Sequence, residues 1–115
     1  MNAIEKEIEG LIQKELQSAN EQFPLFASVH EAYAVILEEL EEAAEDGIAI
    51  SLDLKKFWTN VRNNVPMERL TVLLDSIKTN AAGLAIEAVQ IAAMCDKFQL
   101  SFVETDSFRD EGLNE

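Results

Sequence analysis

Apolar residues recur every three or four positions through most of the chain, the spacing that gives a helix one buried stripe. Ile4, Ile8, Leu11, Ile12, Leu16 and Ala19 predict a first helix over residues 2–22. Pro24 ends it, because the residue before a proline avoids helical geometry. The connector Phe23-Pro24-Leu25-Phe26 is apolar and is expected to pack on the bundle. Ser28 opens a second helix. Its hydroxyl and Glu31 have the capping-box spacing, and an acid in the first turn suits the helix dipole. Val29, Tyr33, Ile36, Leu37, Leu40 and Ala44 form the apolar stripe, and Gly47 supplies a stop. Residues 48–51 then read as a linker. A third helix over residues 52–62 buries Leu54, Phe57, Trp58 and Val61 and keeps Lys55, Lys56 and Arg62 wet. Asn63-Asn64-Val65 is a turn, with Pro66 placed to begin the next helix. The last stripe runs from Leu70 through Leu84, Ile91 and Cys95 to Phe98 and predicts a long helix over residues 67–99.

The fold class expected is therefore all-α, a bundle of about four helices. Residues 1–100 form the helical domain, and residues 101–115 form an acidic tail whose end is frayed or disordered. At 115 residues the chain is one domain by size, with a modest core. Its single cysteine, Cys95, rules out an internal disulfide and is read as a buried structural thiol. The amino terminus is charged from the start and no apolar run has membrane-spanning length, so a soluble cytoplasmic protein is expected. The formal charge of −13 repels nucleic-acid backbones, which argues against direct duplex binding. The same surface attracts cations, and it is also compatible with an acidic decoy for a partner's basic groove.

Carboxylates carry the candidate chemistry. Glu38, Glu39, Glu41, Glu42 and Glu45 fall within eight positions, followed by Asp46. Like charges at this density oppose a helix, and a divalent cation would convert the repulsion into coordination. Helix geometry divides them. Glu39 borders the apolar stripe, where a carboxylate needs a partner or a proton. Glu41 and Glu45 read as a solvated face. In residues 81–95 the only polar side chains are Glu87 and Gln90. They are either a buried hydrogen-bonded pair or a metal ligand with its polar companion. Oxygen ligands point to Mg²⁺ or Mn²⁺ before zinc. His30, the only histidine, reads as a first-turn surface residue. There is no glycine-rich phosphate loop.

Glu38-Glu39-Leu40-Glu41-Glu42 resembles the EExxE motif of the MazG-like all-α nucleoside triphosphate pyrophosphatases, and Glu87-Ala88-Val89-Gln90 resembles their later ExxD. The stretches FPLFASVHEAYAVILEELEEA and AIEAVQIAAMCDKF look like a small subgroup of that family common in phages and prophages. The resemblance implies a helical bundle, a dimeric homo-oligomer, that uses Mg²⁺ or Mn²⁺ to cleave a nucleoside triphosphate between its α and β phosphates. It implies Glu39, Glu42 and Glu87 as metal ligands, with Gln90 where the family has aspartate and Glu38 as a supporting acid or water-positioning group. Lys55, Lys56, Arg62 and Arg69 are then candidates for phosphate contacts, and Trp58 or Phe57 for stacking on the base. The rival expectation is a non-catalytic, phage-derived acidic interaction protein of the same fold.

Overall fold

The computed structural model describes residues 3–103. They form three α-helices, α1 (Ala3–Gln22), α2 (Val29–Arg62) and α3 (Met67–Phe98), closed by a π-helical turn, Gln99–Val103. The all-α class stands. The four-helix count does not, because the two helices expected on either side of Gly47 are one. A glycine stops a helix when it takes a positive φ, and no glycine among the described residues does. Gly47 instead stays helical, at a cost near 1 kcal/mol relative to alanine. The apolar period resumes through Ile48 and Ile50, so nothing else interrupts the ladder. Likewise, Gly83 and residues 78–80 leave α3 unbroken. Among the described residues, no helix is long and apolar enough to cross a membrane.

The chain falls into two compact units. One contains α1, the start of α2 as far as Glu39, and residues 89–103; the other is the helical hairpin Leu40–Ala88. The first unit holds the core. Leu16, Phe26, Ala32, Ala93 and Met94 are buried together, with Ile12, Val35, Ile36, Phe98 and Phe102 packed around them. Ala32 and Ala93 are 1% and 0% exposed, and such small side chains allow helix backbones to approach closely. The expected serine cap is present, with the glutamate reaching back one residue further than a capping box requires. The Glu31 amide donates to Ser28 Oγ at 3.1 Å, and Glu31 Oε2 accepts from the Ala27 amide at 3.3 Å.

The apolar connector is only partly packed. Phe26 is buried, whereas Phe23 and Leu25 are exposed. The Phe26 amide donates to Ser101 Oγ at 3.0 Å, and that hydroxyl donates to the Lys97 carbonyl at 2.7 Å. Ser101 thereby ties the connector to the end of α3. Lys97 is 4% exposed, with its Nζ 4.9 Å from the centre of the Phe26 ring. Part of the desolvation cost of its charge is offset by the ring quadrupole. Cys95 corrects an expectation, since it is exposed rather than buried. Met94 and Lys97 take the inward positions of that turn, and Cys95, about 100° round from Met94, faces out. The proposed tail begins inside the π-helical turn, where Phe102 stacks on Phe98 with ring centres 4.9 Å apart. The frayed end expected beyond it lies outside the described residues.

The hairpin is built differently. Its turn is a Schellman closure. The Val65 amide donates to the Asn60 carbonyl and the Asn64 amide to the Val61 carbonyl, with Asn64 at φ 55°. Pro66 then accepts the first bond of α3 from the Arg69 amide. Ala43 is the one buried hydrophobic residue of the hairpin among the described residues. The expected burial of Leu54, Trp58 and Val61 is not seen, and all three are exposed.

Because Asn64 occupies the left-handed region, Asn64→Val should lower the unfolding free energy by about 1–2 kcal/mol, while Asn64→Gly should not. Urea denaturation of the two variants checks this. Phe26→Ala, which empties the shared core and strands the Lys97 ammonium, should cost about 3–5 kcal/mol in the same measurement.

Candidate metal centre

Three contacts define how α2 and α3 pair. Ser76 Oγ donates to Asp53 Oδ2 at 2.6 Å. A Cβ at Gly83 would stand 3.1 Å from Asp46 Oδ2. Glu42 and Glu87 approach through their carboxylates. The residue numbers of each pair add to 129, which is the signature of antiparallel helices in one fixed register. On α2 the participating positions step by three, four or seven residues, so they share one face.

That face carries the acidic site. Glu39, one turn before Glu42 on the unbroken α2, joins Glu42 and Glu87. One oxygen from each lies within 4.8 Å of the others. Glu39 and Glu87 are half-buried and Glu42 is exposed. Oxygens sharing one Mg²⁺ at about 2.1 Å can be at most about 4.2 Å apart; for Ca²⁺ at about 2.4 Å the limit is about 4.8 Å. A hard divalent cation therefore fits with small side-chain rotations. Three carboxylates and no histidine or thiolate is the donor set of Mg²⁺, Mn²⁺ or Ca²⁺.

The other expected site residues are distributed as follows. Gln90 is half-buried, and the register aligns it with Glu39. Glu38 is exposed and lies outside the triad, as do the exposed Glu41 and Glu45. His30 is exposed in the first turn of α2. Lys55, Lys56 and Arg62 are exposed on α2, between 13 and 20 residues beyond Glu42. At 1.5 Å of rise per residue this separation is about 20–30 Å, so a single chain does not bring them to the triad. Lys55 and Arg62 instead flank Trp58. The Arg62 guanidinium lies 5.8 Å from the Trp58 ring centre. A groove of about 530 Å³ is lined by Ser51, Leu54, Lys55, Trp58, Thr59 and Arg62.

Asp46 was not singled out by periodicity, yet it extends the row of carboxylates by one turn and lies against the α3 backbone at Gly83. The clue in the sequence is the glycine itself. It is the one residue without a side chain in an alanine-rich helix, one turn from Glu87, where alanine would serve the helix better.

No family model, no curated protein and no solved structure matches this chain. The functional reading therefore rests on the residues and their geometry.

Gly83→Ala measures the Asp46 approach. Its gain in helix propensity, about 1 kcal/mol, should be offset in part by crowding of the Asp46 carboxylate. The substitution should therefore stabilise more in an Asp46→Ser background than in the natural sequence. A double-mutant cycle by urea denaturation reads the coupling, expected at about 0.5 kcal/mol or more.

Proposed function

We propose that the chain is a Mg²⁺- or Mn²⁺-dependent nucleoside triphosphate pyrophosphohydrolase that releases pyrophosphate and a nucleoside monophosphate. The observation that carries this reading is the convergence of Glu39, Glu42 and Glu87 within 4.8 Å. The three would hold the cation. When bound, it neutralises phosphate charge and makes its water a better nucleophile. Glu39 and Glu87, half-buried, are oriented by the packing around them, while exposed Glu42 faces the side from which a nucleotide enters. Glu38, one turn before Glu42, would position the attacking water and take its proton as the bond between the α phosphorus and the bridging oxygen breaks. Gln90 would orient Glu39 or complete the ligand shell as a neutral donor. The MazG-like resemblance supports this assignment of roles and a homo-oligomeric assembly.

A second reading, a non-catalytic acidic interaction protein, is favoured by two observations. One is the net charge of −13; the other is Gln90 standing where a fourth carboxylate would strengthen cation binding.

The two readings separate in one assay. With a panel of nucleoside triphosphates and Mn²⁺, pyrophosphate release should fall by more than about a hundredfold in Glu39→Gln and in Glu87→Gln. Helical circular dichroism should persist in both. Mn²⁺ alone should stabilise the natural chain by about 2.7 kcal/mol at a hundredfold excess over Kd, and Gln90→Asp should tighten the binding. The absence of both pyrophosphate release and a metal-dependent rise in Tm across the panel would sink the enzyme reading.

A further inference from the structure

Lys55, Trp58 and Arg62 take no part in the acidic triad, yet they share a groove. With Ser51, Leu54 and Thr59 they line about 530 Å³. These positions recur at three- and four-residue steps, so they lie on one side of α2. At 100° per residue, Trp58 is about 120–160° round the helix from Glu42, Asp46 and Asp53. The groove therefore opens away from α3. Its floor is apolar, because Leu54 and Trp58 are 56% and 59% exposed. The Arg62 guanidinium lies 5.8 Å from the centre of the indole. That contact restrains it, while its N–H edge can still meet a carboxylate in two-pronged geometry. The Thr59 hydroxyl donates to the Lys55 carbonyl at 3.1 Å and so offers its proton to the helix. The lining thus holds two cations, an aromatic ring and an aliphatic side chain, and no carboxylate.

Charge identifies the chemistry of the occupant. In α2 every lysine and arginine follows Leu54, and every carboxylate except Asp53 precedes Gly47. Asp53 accepts from Ser76 on the α3 side. The next acid up the helix, Asp46, is about 14 Å from Lys55 along the axis. That exceeds the Debye length of about 8 Å at physiological salt. A short anionic segment therefore meets a positive surface, although the formal charge of the chain is −13. A larger anion does not. A nucleic-acid strand or an anionic bilayer extends past the groove, about 17 Å long, and meets Glu41 and Glu45. A small anion would pair with the cations but leave Trp58 and Leu54 bare.

We propose that this groove docks an acidic segment of a partner protein. An aromatic or large aliphatic side chain of the segment covers Trp58 and Leu54. Aspartates or glutamates on either side of that anchor meet Lys55 and Arg62. Tryptophan and arginine are the side chains that most often dominate such contacts. The paired charges fix the direction of the segment and turn away basic sequences. The docking needs neither a cation at Glu39, Glu42 and Glu87 nor hydrolysis, so it stands apart from the pyrophosphohydrolase reading.

The probe is a display library of random peptides about five to twelve residues long, matched to the length of the groove. It is panned on the natural chain and counter-selected on a chain carrying both Trp58→Ser and Arg62→Glu. Enriched peptides should carry an aromatic or large aliphatic residue among aspartates and glutamates. Synthetic copies should bind the Trp58→Ala chain about thirtyfold more weakly than the natural one, and should bind less tightly as salt is raised. Lys55→Glu with Arg62→Glu should abolish that binding and admit peptides whose acids are replaced by lysine. The substituted side chains are exposed, so helical circular dichroism should persist; Leu54→Glu serves as a second variant of the floor. No enrichment over the counter-selected chain, or enriched peptides without net negative charge, overturns the proposal. So does a natural dimer that becomes monomeric in the doubly substituted chain by light scattering, which gives the groove to a second copy. Vesicles of anionic lipid that displace the peptides and bind the natural chain alone would give it to a membrane, and overturn the proposal equally.

Discussion

The hydrogen bond from Ser76 to Asp53 and the seat of Asp46 against Gly83 hold α2 and α3 in one antiparallel register. Much else depends on it. A slip of one residue would rotate either helix by about 100° and carry Glu87 away from Glu42. Polar contacts mark the register, and Ile50, Phe57, Leu73, Ile77 and Leu84 are half-buried beside them. Leu40, Ile48, Leu52, Leu54, Trp58, Val72 and Ile86 of the hairpin remain exposed.

The core of the protein lies elsewhere, in the unit that joins α1 to the start of α2 and the end of α3. There the packing is conventional, with alanines at the closest approaches and Phe26 inserted from the connector. Ser101 and Lys97 show how a short apolar connector is held in place. One hydroxyl serves as acceptor for the connector and donor to the helix end, while a buried ammonium lies against the ring of Phe26. The two units therefore differ in what stabilises them. The first buries Leu16, Phe26, Ala32, Ala93 and Met94 together, though Ile4, Leu11, Phe23 and Tyr33 stay exposed; the hairpin buries Ala43 alone among its described hydrophobic residues.

For the site, this division has a chemical meaning. Carboxylates crowded together repel each other and are costly to desolvate. They are tolerable where the packing is loose enough for water, and Glu42 is exposed. A cation held there would keep part of its hydration shell, as Mg²⁺ sites commonly do. The neutral Gln90 lowers the charge of the site relative to four carboxylates, which favours an ion that is shared with a substrate's phosphates over one held permanently.

Read alone, the sequence determines what depends on neighbours within a few residues. The cap at Ser28 and Glu31, the break at Pro24, the turn ahead of Pro66 and the all-helical class all follow from local hydrogen bonding and dihedral preference. So does the separation of Glu39 from Glu41 and Glu45 on α2, which needs only the helical period. Gly47 marks the limit of that reasoning. A glycine is compatible with a stop or with continuation, and the ladder on either side decided for continuation. Cys95 and Trp58 mark another limit, because an apolar residue on a periodic stripe is buried only if some element arrives to cover it. The tertiary structure alone decided which residue of α3 stands opposite Glu42, and why Gly83 has no side chain. Those facts depend on register, and register is set by contacts between positions 23 to 45 residues apart, beyond the reach of any local pattern.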